Sequence, residues 1–230
     1  MKRLRDVIIV SCAVVGMHSI LVQNATAQKP CGPRAISEED AKLQKDSLPI
    51  NEFEKKALTV LNDIYKNQRY RNVPTEDGRL LRVMAESMNA KHVVEIGTST
   101  GYSTIWMGMA LKRTGGKCTT YEIDAKRAEI ARTNFKRADM ADTITLVEGD
   151  AHAKVAELTG TIDILFLDAD KAGYVDYLEK LMPKIRKGGL IIAHNINLRM
   201  ADPKYMEAIT TNPKLETIVR GGVAITLKKE

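Results

Sequence analysis

Apolar positions along this chain switch repeatedly between a helical and a strand period. Phe53, Ala57, Leu58, Leu61, Ile64 and Tyr65 recur at steps that put them on one helical face, with Asn51 placed to cap it. A second helix starts at Thr75 and reaches about Met88. Val93-Val94-Glu95-Ile96 is a short apolar run interrupted only by Glu95, which predicts a buried parallel strand stopping at Gly97. Ile105, Met107, Met109, Ala110 and Leu111 suit a helix from Ser103 that ends at Gly115-Gly116. Strands are then predicted over residues 117–122, 143–148, 162–167 and 190–193. Between them lie a helix carrying Ala128, Ala131, Phe135 and Ala138, and one striped by Tyr174, Tyr177, Leu178, Leu181, Met182 and Ile185, closed by Gly188-Gly189. A helix over residues 203–210 precedes a hairpin, residues 217–220 and 223–227, across Gly221-Gly222. This alternation predicts an α/β fold: a Rossmann-like, doubly wound, mostly parallel seven-stranded sheet with an antiparallel strand from the C-terminal hairpin.

The first residues change the picture of where the domain begins. Lys2, Arg3 and Arg5 precede a mostly apolar run from Val7 to Val22 and then Ala25-Thr26-Ala27. A basic start, a short apolar centre and a small-residue cleavage site predict a signal peptide over residues 1–27, too short and polar for a membrane span. The expected location is exported, or cytoplasmic if the signal is not used, with no membrane attachment after cleavage. Residues 28–50 read as an irregular lead-in with one short helix near Glu38 to Lys45, and residues 51–230 as a single domain. The net charge of +6 is spread without a basic stripe, which argues against nucleic acid as a partner. Cys31 and Cys118 could pair in an oxidising compartment or remain two thiols.

Candidate chemistry gathers at the predicted strand ends. Gly97-Thr98-Ser99-Thr100-Gly101 forms a tight turn between strand and helix, the nucleotide-binding corner of an open α/β sheet. A dinucleotide corner wants G-x-G-x-x-G to seat a pyrophosphate. Here the spacing is G-x-x-x-G, and Glu95 precedes it. A carboxylate aimed at that corner repels a pyrophosphate but suits the ammonium and sulfonium of S-adenosylmethionine. Glu122, Asp150, Asp168, His194 and Asn195 also sit at strand tips, the edge where open sheets bind ligands. Glu122 can accept from ribose hydroxyls. Asp150 can accept from an adenine amine beside the backbone of Ala151, or merely cap the helix that Ala151 enters. Asp168 and Lys171, three residues apart across a strand-to-helix turn, can share a pocket, with the lysine as general base if its pKa is lowered. The plain alternative is a surface lysine paired with Asp170.

The segments Glu95-Ile96-Gly97 through Ser103, Tyr121-Glu122, Gly149-Asp150-Ala151, Phe166-Leu167-Asp168-Ala169-Asp170-Lys171 and Gly188 to Ala193 resemble the cation-dependent O-methyltransferases. That family includes caffeoyl-CoA and catechol O-methyltransferases and their small bacterial relatives, and the likeness runs from about Asn51 to the C-terminus. The resemblance implies S-adenosylmethionine contacts at Glu95, Ser103, Glu122, Ala151 and Asp168, to which the glycine turn adds Gly97, Ser99 and Gly101, and the adenine reading Asp150. It also implies a divalent metal on Asp168 and Asn195, Lys171 as base, a small aromatic hydroxyl acceptor and a homodimer. One departure stands out. Where the family carries Asp-Asn after the fifth strand, this chain has His194-Asn195, so His194 is a candidate metal ligand or a metal-free base. Magnesium and calcium favour oxygen, and the loss of a carboxylate leaves the site poorer in such ligands. The stretch from Asn195 to Pro213 is also shorter than the family's acceptor loop. Two other readings are a nicotinamide-dependent oxidoreductase and an exported, non-catalytic binding protein on the same scaffold.

Overall fold

The structure is a computed structural model that describes residues 43–68 and 70–230. The leader expected over residues 1–27, Cys31, the 28–42 part of the lead-in and the start of its expected helix lie outside the described residues. From Gln44 to Ile50 the chain has no regular structure.

Fourteen elements follow. Helix α1 (Glu52–Asn67) is capped by Asn51, whose Oδ1 accepts from Glu54 N at 2.8 Å. Helix α2 (Thr75–Ser87) precedes β1 (His92–Ile96), α3 (Tyr102–Thr114), β2 (Lys117–Glu122), α4 (Ala125–Arg137) and β3 (Ile144–Glu148). Then come the short α5 (Ala151–Lys154), β4 (Ile162–Leu167), α6 (Tyr174–Leu181), β5 (Ile185–Ala193), α7 (Pro203–Thr210), β6 (Leu215–Arg220) and β7 (Val223–Lys228).

The seven strands form one sheet in the order β3-β2-β1-β4-β5-β7-β6. Strands β1 to β5 pair in parallel, and β7 runs antiparallel to both β5 and β6. All six residues of β4 are buried, as expected for a central strand covered on both faces.

Strand alternation divides the core in two. Val93, Ile164 and Cys118 face one layer with Ile64, Leu81, Trp106 and Phe135 of α1 to α4. Val94, Ile96, Leu165 and Leu167 face the other, with Val155, Tyr174, Leu178 and Tyr205. Burial of each large aliphatic side chain here contributes about 1.5–3 kcal/mol. Cys118 is fully buried and, among the described residues, has no sulfur partner.

The largest difference from the sequence expectation is where β5 begins. Helix α6 stops at Leu181 and a 3-10 turn with Pro183 follows, so β5 begins at Ile185 and Gly188-Gly189 lies inside the strand. The pairing of Ile162 with Ile185 but Ile164 with Leu190 shows extra residues bulging from β5. Gly188 takes a φ of +74° there, the left-handed conformation that glycine adopts at little cost.

Helix α2 is drawn onto α1 and α3 by Glu54, which is almost wholly buried and holds Arg82 at 2.5 Å. That docking carries the first turn of α2, and Asp77 within it, to the sheet's carboxyl edge.

Candidate active site

Four backbone bonds align the strand ends. Gly149 N donates to Glu122 O at 2.8 Å, Gly97 N to Tyr121 O at 3.0 Å, Asp168 N to Ile96 O at 2.9 Å and His194 N to Leu167 O at 2.9 Å. The parallel ladder thus continues one step past each strand. Chain order reverses between β1 and β4, and the crevice opens at this switch point. Gly97, with a φ of +103°, presses against the β4 tip: a Cβ there would lie 2.6 Å from Asp168 O. Only glycine allows that approach, so the first glycine sets the position of Asp168.

A cavity of about 930 Å³ lies along this edge. Its walls include Gly97, Ser99, Glu122, Asp150, Ala151, Asp168, Lys171, His194 and Asn195, all candidates from the sequence. Glu95, Gly101 and Ser103 are not on the wall, a correction to the sequence reading. Glu95 shares the face of β1 that carries Val93, so its side chain turns toward α3. It is fully buried and accepts from Ser103 Oγ at 2.5 Å, Thr120 Oγ1 at 2.6 Å and the Thr104 hydroxyl. Burial dominates over these three hydroxyls and pushes its pKa up to about 7. Gly101 has a φ of +86°, and a Cβ there would run into the Phe135 ring.

Glu122 is preorganised on the wall. Its carboxylate accepts from Ser99 N at 2.7 Å and Asp124 N at 3.0 Å, and pairs with Arg127 at 3.1 Å. Ser99 reaches it through a left-handed φ of +50°. The glycine turn therefore has little left for a phosphate: the N–H groups of Gly97, Thr98, Ser99 and Gly101 all have acceptors within the protein. Asp150 serves as both cap and wall, accepting from His152 N at 2.9 Å while lining the cavity. His152 stacks on Tyr177 with ring centres 4.2 Å apart.

Lys171 turns inward, away from Asp170. Its Nζ lies 3.3 Å from Asp168 Oδ1 and donates to Ala169 O at 3.2 Å and to Tyr174 Oη at 2.6 Å. Asp170 instead accepts from the Tyr177 hydroxyl at 2.9 Å. Burial lowers the Lys171 pKa against the pull of Asp168, which favours its amine form.

His194 is held between two acids. Its Nε2 is 2.9 Å from Asp77 Oδ2, and its Nδ1 is 3.3 Å from Asp168 Oδ1. Burial pulls its pKa down, but Asp168 and Asp77 outweigh that and hold it at about 9, so the ring is an imidazolium at neutral pH. Asp77 was missed by sequence reasoning: it looks like an ordinary first-turn helix acid, and its partner is 117 residues away. Arg127 and Tyr174 were likewise visible only as helix residues.

Some buried polar side-chain atoms have no hydrogen-bond partner. Among the described residues they are Ser99 Oγ, Trp106 Nε1, Arg127 Nε, His194 Nδ1 and Tyr205 Oη. Three of the five belong to residues lining the cavity. Orphaned groups of this kind are costly unless a ligand or water meets them.

The implied metal fits less well. Asp168 Oδ1 already faces both Lys171 and His194, and His194 Nε2 is taken by Asp77. Among the described residues no group of three His, Cys, Asp or Glu side chains could hold an ion.

An acid-lined crevice at the switch point of a doubly wound sheet, beside a glycine turn with most of its amides already bonded, is where such a sheet takes a nucleotide cofactor held by acids more than by phosphate contacts. The chain belongs to the O-methyltransferase family: the family model matches residues 49–208. It is 34% identical over 149 residues to the catechol O-methyltransferase of Niastella koreensis, covering 63% of this chain and 66% of that protein. With the Mycobacterium tuberculosis catechol O-methyltransferase the identity is 36% over 125 residues, covering 54% and 56%. The matched stretch thus spans less than two thirds of these relatives' own length. Among solved structures, an O-methyltransferase from Bacillus cereus in complex with S-adenosylhomocysteine superposes with a TM-score of 0.67 at 26% identity, covering 83% of this chain and 97% of that one. The cofactor-bound protein Rv0187 from MTB gives 0.68 at 28%, covering 88% and 100%.

Proposed function

We propose that the chain transfers a methyl group from S-adenosylmethionine to a hydroxyl of a small, catechol-like aromatic acceptor. The observation that carries this reading is the meeting of Glu122, Asp168 and Lys171 on one cavity whose glycine turn has four of its five amides already bonded within the protein, leaving little to hold a pyrophosphate. Names of relatives support the acceptor class, since two of them are catechol O-methyltransferases.

Glu122 would take the ribose hydroxyls, fixed by Ser99 N and Arg127. Asp150 and Ala151 would border the adenine, and Asp168 would attract the amino-acid end of the cofactor. The volume suits a cofactor and a small acceptor together, lying at the upper end for ligand pockets. Bound S-adenosylmethionine supplies an electrophilic methyl carbon on a good leaving group. Lys171, its pKa lowered by burial, takes the proton of the acceptor hydroxyl, so that oxygen can bond to the methyl as the carbon–sulfur bond breaks. Tyr174 anchors the lysine: its hydroxyl accepts from Nζ and donates to Leu167 O at 2.8 Å. A proton base of this sort contributes about 10²–10⁴ in rate.

The test is turnover of a catechol panel with labelled S-adenosylmethionine. Methyl ether formation is expected from the wild type and strongly reduced formation from Lys171→Ala. No turnover on any phenol, with S-adenosylhomocysteine still bound, would favour a non-catalytic binding protein.

A further inference from the structure

We propose that this methyltransferase site works without a divalent metal ion, because the His194 side chain itself fills the place between Asp168 and the acceptor where an ion would sit. The inference rests on the methyltransferase reading of the cavity and deepens it. Three observations carry it. First, the imidazole is clamped from both sides, with Asp77 Oδ2 2.9 Å from Nε2 and Asp168 Oδ1 3.3 Å from Nδ1. The two carboxylates meet opposite edges of the ring and cannot both reach one ion on either nitrogen. Second, Lys171 Nζ stands 3.3 Å from the same Asp168 oxygen, so an incoming dication would have to displace a partner already in place. Third, the donors that remain are one aspartate and the Asn195 carboxamide. Magnesium keeps several waters but still needs one or two carboxylates turned to it, calcium takes six to eight oxygens and zinc three or four protein ligands, whereas the one aspartate here already faces Lys171 and His194.

The ring also has a use in this place. His194 is 8% exposed and lines the cavity, yet Nδ1 has no hydrogen-bond partner, its contact with Asp168 being off the bonding line. Nδ1 is enclosed as the ring stands, so a small turn of the ring brings it to an acceptor oxygen in the cavity, and Asp77 from α2 holds the opposite edge about which the ring turns. Asp77 is thus a positioning residue, and the hydrogen bond from Nδ1 does for the developing phenolate part of what a metal would do by charge.

The experiment is calorimetric titration of manganese, magnesium and zinc into the purified wild type saturated with S-adenosylhomocysteine, alongside manganese electron paramagnetic resonance. No saturable binding at millimolar metal is expected, and methyl transfer should survive a chelator unchanged. One equivalent of metal bound by the wild type and lost in His194→Ala would overturn the proposal. His194→Asp, shown folded by thermal unfolding, should gain manganese binding; a folded variant that still takes no manganese would overturn the placement of residue 194 at the ion's seat. The wild-type titration decides the main point even if a variant does not fold. Failure of S-adenosylhomocysteine to bind in the same instrument would sink the methyltransferase reading separately, since the metal titration does not depend on turnover.

Discussion

Glu95→Gln isolates the most unusual charge in the core. Glu95 is fully enclosed, with its carboxyl pKa near 7 in the fold against 4.5 for an ordinary glutamate. An acid with a raised folded pKa binds more protons in the folded than in the unfolded state between those two values. Stability is therefore full below pH 4.5, falls as pH rises toward 7, and stays low above it. A gap of roughly two and a half pKa units corresponds to about 3 kcal/mol, because each unit is about 1.4 kcal/mol. Glutamine cannot ionise, and the hydroxyls of Ser103, Thr104 and Thr120 can rotate to meet its amide. The variant should lose that pH dependence while all other titrating groups remain. Urea unfolding of both proteins without cofactor, at intervals from pH 4 to 8.5, measures the difference directly. The variant should gain about 3 kcal/mol on the wild type across this range, or roughly 6–12 °C in Tm for a domain of this size. A stability difference that stays flat with pH, or grows toward acid, would refute the assignment of a buried, proton-sharing carboxyl at position 95.

Gly97→Ala should destabilise the fold by about 1–3 kcal/mol, from a Cβ against Asp168 O and a strained positive φ, and should weaken S-adenosylhomocysteine binding by displacing the β4 tip. Unaltered unfolding and affinity would remove the close-approach role of this glycine. Lys171→Ala should lower kcat by about 10²–10⁴ while cofactor affinity changes little; the reverse pattern, read by steady-state kinetics and calorimetry, would make the lysine a cofactor ligand. Glu122→Ala should weaken S-adenosylhomocysteine binding by at least 10-fold, the loss expected for hydrogen bonds of about 1.5–3 kcal/mol to a charged group. An unchanged Kd would exclude Glu122 from the ribose.

Most of the architecture is legible in the chain because the strands are short apolar runs and the helices keep a helical stripe. Lys117–Glu122, Ile162–Leu167 and Pro203–Thr210 fall where the period places them. Gly188-Gly189 reads as a helix stop since glycine punctuates both helices and bulged strands, and only pairing with β4 tells them apart. The strand-tip acids are legible as a group because topology alone sends the carboxyl ends of the five parallel strands to one edge. The direction of a side chain is not. Glu95 is one residue from Ile96, yet the pleat turns it into the α3 layer instead of the crevice. Asp77 carries no local signal, since its meaning comes from the docking of α2 far from His194 in sequence.

The central claim is that the acids at the strand ends enclose a cationic methyl donor and not a phosphate chain. Calorimetry of the purified protein with S-adenosylhomocysteine and with NADH, run in parallel, tests it most directly. One equivalent of S-adenosylhomocysteine bound and no heat from NADH is the expected result; heat from NADH with none from S-adenosylhomocysteine would contradict it.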